Sequence, residues 1–154
     1  SDPNGSIRSW ESCFRKTRPK SNKIDAVYIV GEIGDELLTV TQFRPATGKN
    51  VIEFPAGLID DDDFDAKLAA LREMKEETGY KGYVTHESPA TFSDPGISEA
   101  TQSFVQIKVH ENVPPVPKND DGEFIQVQKI RLRDLTRYLE GASKKGVGVD
   151  GALW

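Results

Sequence analysis

Between Gly57 and Tyr80 the chain reads GLIDDDDFDAKLAALREMKEETGY, and its second half sets Glu73, Glu76 and Glu77 three and four residues apart. On an α-helix those carboxylates share one face within a turn of each other, where like charges repel. A solvated acidic face tolerates such spacing and is the commoner outcome of it. The same spacing becomes useful when a hard divalent cation sits among the oxygens, a ligand set that suits magnesium, manganese or calcium better than zinc. The helix has legible ends. Asp63 or Asp65 can cap its start, the Asp60–Asp63 run brings negative charge to the positive end of its dipole, and Gly79 fits the left-handed position after its last turn. Leu68, Leu71 and Met74 supply the expected buried stripe, and Arg72 can reach Glu76 at i+4.

Bulk properties narrow the partners. A chain of 154 residues suffices for one domain with a real core, and no apolar run approaches the roughly 20 residues of a membrane span. The net charge of −5 argues against nucleic acid and repels free phosphate esters. An acidic protein that handles phosphates therefore needs bound cations or a local basic cluster. The single Cys13 allows no internal disulfide, which fits a reducing compartment, the cytoplasm.

Read in order, the chain opens with a polar stretch and a basic cluster, Arg15, Lys16, Arg18 and Lys20, in an N-terminal arm spanning 1–24. The domain spans 25–154. Ala26–Ile33 and Glu36–Arg44 flank Gly34-Asp35 and predict a β-hairpin. Val51–Phe54 is a short strand that runs into the turn Pro55-Ala56-Gly57. After the acidic helix, strands are expected at Tyr80–Val84, Ala90–Phe92, Thr101–Val109 and Phe124–Leu132. Asp94-Pro95-Gly96 reads as a turn, and Glu111–Glu123 as an exposed loop rich in Pro, Asp and Gly. Asp134 can cap a second helix over Leu135–Leu139 that ends at Gly141, and Ala142–Trp154 reads as a Gly-rich tail that continues beyond Trp154. Strands around one long and one short helix make an α+β domain with mixed sheets covered by helices.

The run Arg72-Glu73-Met74-Lys75-Glu76-Glu77-Thr78-Gly79-Tyr80 matches in full the ending of the Nudix box, and the chain resembles Nudix hydrolases. The front of the box departs from the pattern. Its acidic position is Asp63 when counted forward from Gly57 and Phe64 when counted back from Arg72, so the loop carries one extra residue. The resemblance implies an α/β/α sandwich with a loop–helix–loop box and hydrolysis of a diphosphate joined to another group. It also implies magnesium, with manganese as a substitute, held by Glu73, Glu76, Glu77 and the backbone carbonyl of Ala56.

Further residues resemble the ADP-ribose (ADP-sugar) pyrophosphatase branch, and its eukaryotic members most. These are Trp10-Glu11, Arg15, Gln42-Phe43-Arg44-Pro45, Glu53-Phe54-Pro55-Ala56-Gly57, Asp94-Pro95-Gly96 and Gly122-Glu123-Phe124. By that resemblance Trp10 stacks on adenine with Glu11 beside the base, and Arg15 and Arg44 grip the diphosphate. Leu58 contacts substrate through its backbone, Asp94 meets the terminal ribose, and Glu123 on a mobile loop is the catalytic base, with Glu76 also in the catalytic set. The branch adds a second adenine-stacking aromatic upstream of Trp-Glu across a domain-swapped homodimer, and no aromatic precedes Trp10 here. Two alternatives keep the fold. One is the same chemistry on a GDP-sugar, a dinucleotide or an oxidised nucleoside diphosphate. The other is a nucleotide-binding module without turnover, which has no need of three clustered carboxylates.

Overall fold

The computed structural model describes residues 2–16, 18, 24–110, 115 and 124–154. Among these residues nine strands and two α-helices follow in the order β1 (Ala26–Ile33), β2 (Glu36–Arg44), β3 (Lys49–Glu53), β4 (Ala56–Leu58), α1 (Ala66–Glu73), β5 (Gly82–Glu87), β6 (Thr91–Phe92), β7 (Thr101–Val109), β8 (Gln126–Arg131), α2 (Leu135–Lys144) and β9 (Gly148–Val149). The strands run β5-β7-β1-β2-β3-β9, with β4 added to β1, β6 to β7 and β8 to β2. Most pairs are antiparallel. The parallel ones are β1 with β7, in register from Ala26–Gln102 to Glu32–Lys108, and β3 with β9.

Strand alternation sorts the core into two layers. Val27 and Ile29 of β1, Leu38, Val105 and Ile107 pack against Ala66, Ala69, Ala70 and Met74 of the first helical segment. The intervening Tyr28 and Val30 face the other way, with Phe104, Ile52 and Phe54 against Leu139 of α2. Helices on both faces of a mixed sheet make the expected α/β/α sandwich. No helix among the described residues is long and apolar enough to cross a membrane.

The hairpin forms as read, and Thr101–Val109 is a strand to the residue. Three expectations need correction. The first concerns the apolar stripe of α1, where Leu68 is half exposed and the buried positions are Ala66, Ala69 and Ala70. Steps of three residues lag a helical turn by roughly 60° each, so a line drawn back from Met74 has left the buried face by Leu68. Second, Asp134 occupies the cap position of α2, yet its carboxylate bonds Arg131 and Arg137 rather than the helix amides, and the helix continues to Lys144. Third, Ala56 and Gly57, read as part of a turn, belong to strand β4 paired with β1. The tail adds a short strand of its own. Val149 of β9 pairs with Ile52, and Leu153 is buried beneath α2.

Candidate active site

Both ends of the acidic helix are fixed locally. Asp65 caps α1, its carboxylate accepting from the Leu68 amide at 2.9 Å. After Glu73 the chain continues into a π-helical turn, Met74–Thr78, which Gly79 closes at φ 73°. The Thr78 hydroxyl donates back to the Met74 carbonyl within this turn. Widened helical turns of this kind occur often at functional sites. Here the widened turn carries Glu76 and Glu77.

Facing the turn is the strand pair β4–β1, in which Ala56 lies opposite Tyr28 and Gly57 opposite Val27. Gly57 lies directly under Glu73. A Cβ at Gly57 would sit 1.9 Å from the Glu73 Cδ and 2.3 Å from its Cγ, so only a glycine lets that side chain cross the strand. Glu77 is buried, and its Oε2 accepts from the Ala56 amide at 3.1 Å.

Arg72 is the local hub. It donates to both oxygens of Asp63 at 3.2 and 2.7 Å, to Glu73 at 2.8 Å, to Glu76 at 3.0 Å and to the Leu58 carbonyl at 3.1 Å. This resolves the extra residue in the loop. Asp63 pairs with Arg72, Asp65 caps the helix, and the Phe64 between them is exposed.

These groups line a cavity of about 350 Å³ formed by Gln42, Arg44, Ala56, Gly57, Leu58, Asp60, Arg72, Glu73, Glu76 and Glu77. Four of the lining side chains are carboxylates and two are guanidinium groups, so the cavity carries excess negative charge. Among the described residues no three acidic, His or Cys side chains already converge as a closed metal cage. The hydrogen bonds give the reason: Glu73 and Glu76 lean on Arg72, and Glu77 leans on Ala56. The donor set nevertheless fits a hard divalent cation, being oxygen-only, net negative and backed by a rigid strand.

Burial pushes the Glu73 carboxyl above its ordinary range, against the opposing pull of Arg72. The hydrogen bonds from Arg72 hold Asp63 below its ordinary value of 3.8, with burial working the other way. At Asp25 burial pushes upward, but the Arg18 fork and the Thr101 amide outweigh it and leave a net lowering. A carboxylate lowered on folding contributes stability that is whole above its unfolded pKa and is lost as pH falls through its folded one. Glu73 acts in the opposite sense, its contribution being lost as pH rises through its folded pKa. Asp25 and Asp63 outnumber it and titrate below it, so urea midpoints should fall as pH drops below about 4, the ordinary Asp value. Asp63→Asn should start lower and fall less steeply, and an unchanged slope would remove Asp63 from the account.

The remaining expected residues divide by place. Arg44 and Leu58 line the cavity with the three glutamates and Ala56. Trp10 and Asp94 come together at another corner, where the indole Nε1 donates to the Gly96 carbonyl at 2.8 Å and Asp94 accepts from the Gly96 amide at 3.3 Å. Glu11 is exposed beside Trp10. Arg15 donates to the Asp25 carbonyl at 2.7 Å, the same oxygen that accepts from the Ile59 amide at 3.0 Å, which places it one residue from Leu58. Glu123 lies outside the described residues. Sequence reasoning gave no site role to Gln42 and placed Asp60 only at the helix dipole, although Gln42 stands two positions before Arg44 on the same strand face.

Comparison with known proteins agrees with this geometry. Residues 22–147 match the NUDIX domain family. The chain is 41% identical to the ADP-sugar pyrophosphatase of Mus musculus, covering 99% of this chain and 74% of that protein. It is 38% identical to the ADP-ribose pyrophosphatase of Saccharomyces cerevisiae, covering 99% of this chain and 69% of that protein. A solved ADP compounds hydrolase shares the fold at a TM-score of 0.62 and 24% identity, and the match covers 75% of this chain and 60% of that structure. Box ending, helix-on-sheet geometry and family match coincide, and the chain belongs to the Nudix hydrolase family.

Proposed function

We propose that this Nudix hydrolase cleaves the diphosphate of ADP-ribose, and more broadly of ADP-sugars, to AMP and ribose 5-phosphate with magnesium as cofactor. The observation that carries this reading is the cavity lined by Glu73, Glu76, Glu77 and Arg44, too negative to admit a diphosphate without a cation. Likeness over 99% of this chain to the mouse and yeast pyrophosphatases supplies the substrate class.

Glu73, Glu76, Glu77 and the Ala56 carbonyl would hold magnesium, or manganese in its place. When bound, the ion neutralises the diphosphate and lowers the pKa of a water. The chain's own residues do the rest. Arg44 offers a planar donor to a phosphate oxygen on the cavity wall. Arg72 holds Glu76 and Glu73 in place from behind. Trp10 offers an exposed indole face to adenine, with Glu11 beside the base and Asp94 near the terminal ribose. Arg15 grips the diphosphate from the arm, and the Leu58 backbone contacts substrate. Glu123 takes the proton of the attacking water. The exposed side chains Ile7, Trp10 and Phe14 on the arm suit a homodimer, and the lone exposed Cys13 suits the cytoplasm.

The test is a substrate panel. kcat/KM for ADP-ribose should exceed that for a GDP-sugar or a dinucleotide, with AMP as a product. A preference for a guanine substrate would transfer the assignment to another diphosphate, and tight ADP-ribose binding without AMP release would replace catalysis by sensing. Glu123→Gln should lower kcat about 100-fold with KM little changed, and steady-state kinetics with saturating magnesium would expose a full-rate variant.

A further inference from the structure

Glu53 is buried in the sheet beside the cavity, yet it is not one of the residues that line it. Its carboxylate is clasped by Arg44, from Nε to both oxygens at 2.9 and 3.2 Å and from Nη2 to Oε2 at 2.6 Å. The pairing is not a product of strand register, because Arg44 lies opposite Lys49 and Glu53 lies opposite Val40. Arg44 therefore lies back along the shared face of β2 and β3, over the row of Gln42 and Val51, away from Lys49. That path brings it to the cavity wall together with Gln42.

We propose that Glu53 is a positioning residue that holds the Arg44 guanidinium by one edge and presents its other edge to the substrate diphosphate. This rests on the diphosphate-hydrolase reading of the same cavity. The clasp uses the Nε edge, and the Nη1 group makes no hydrogen bond or ion pair among the described residues. A guanidinium held at one edge keeps its planar fork pre-organised for a phosphate oxygen at the other. The clasp also keeps a mobile cation off the neighbouring carboxylates. The bonds to Glu53 hold the Arg44 guanidinium above its ordinary value, with the nearby Glu77 charge adding to the effect. Released from Glu53, Arg44 would turn to Glu77 and compete there with the divalent cation.

The proposal separates Glu53 from a merely structural buried acid. Glu53→Gln should raise KM for ADP-ribose about tenfold and raise the magnesium needed for half-maximal rate, with kcat within about twofold. Calorimetry should show magnesium pyrophosphate binding about tenfold more weakly, a reading that needs no turnover. Arg44→Ala should raise KM similarly, and adding Glu53→Gln to it should change KM less than about twofold. If thermal melting shows Glu53→Gln unfolded, Glu53→Asp, which withdraws the charge by one methylene, should reproduce the KM rise. Unchanged KM and pyrophosphate affinity, or an equal penalty with and without Arg44, would overturn the role of Glu53. Failure of the wild-type protein to cleave ADP-ribose would instead remove the substrate reading, and the pyrophosphate calorimetry would still decide for or against Glu53.

Discussion

Glu77→Gln should lower kcat on the order of 10³-fold or more while the thermal midpoint moves little. Glu77 is buried, and the amide of Ala56 donates to its Oε2. A glutamine keeps that acceptor and nearly the same volume, so the strand-to-helix contact survives. The negative charge is what disappears. If the charge serves only to decorate the helix, its loss from a buried position relieves desolvation and the protein should become no worse as a catalyst. If it helps hold a divalent cation, the loss removes several kcal/mol of transition-state stabilisation. Steady-state kinetics across a magnesium titration, paired with a melting curve, separates the two. Full rate at saturating magnesium would contradict the role given to Glu77.

The second large effect needs no change at a charged residue. Gly57→Ala should lower kcat/KM roughly 100-fold to 1,000-fold, because the new methyl would occupy the space of the Glu73 Cδ. Glu73 must then rotate away, losing its contact with Arg72 at 2.8 Å and its place in the cavity wall. The stability cost should be modest, of the order of 1–3 kcal/mol for a steric clash that a side chain can relieve. A variant with wild-type kcat/KM would show that Glu73 works equally well from another rotamer. Glu73 would then have no assigned position in the site.

What could be read from the residues beforehand follows the range of the forces concerned. The acidic helix was legible because its determinants are local. Asp65 and Gly79 act within one turn of the ends they fix, and Arg72 reaches Glu76 at i+4. The β1–β2 hairpin was legible from two alternating runs around a two-residue turn. The parallel pairing of β1 with β7 was not, because it joins Ala26 to Gln102 across about half of the chain. Nor was the addition of β9 to β3, since a two-residue strand in a Gly-rich tail has no pattern of its own. Leu68 was misplaced because a run of leucines every three residues turns round the helix, whereas Ala66, Ala69 and Ala70 keep to the buried face.

The site shows the same division. The three glutamates and Ala56 could be placed from the box and the residues just before it, and they do share one cavity. The jobs of Asp63 and Asp65 could not be told apart by counting, since the inserted residue displaces the pattern and only the folded loop shows which carboxylate meets Arg72. Arg15, expected at the diphosphate, donates to the backbone carbonyl of Asp25, a contact that counting along the arm does not reveal. That contact depends on how the arm lies against the residues around Thr101, which the arm's own sequence does not encode.

The most direct measurement is an anomalous difference map from crystals grown with manganese and ADP-ribose. Manganese density should lie within coordination distance of Glu73, Glu76 and Glu77, with the diphosphate between the ion and Arg44. Bound nucleotide with no anomalous density beside those three glutamates would contradict the account.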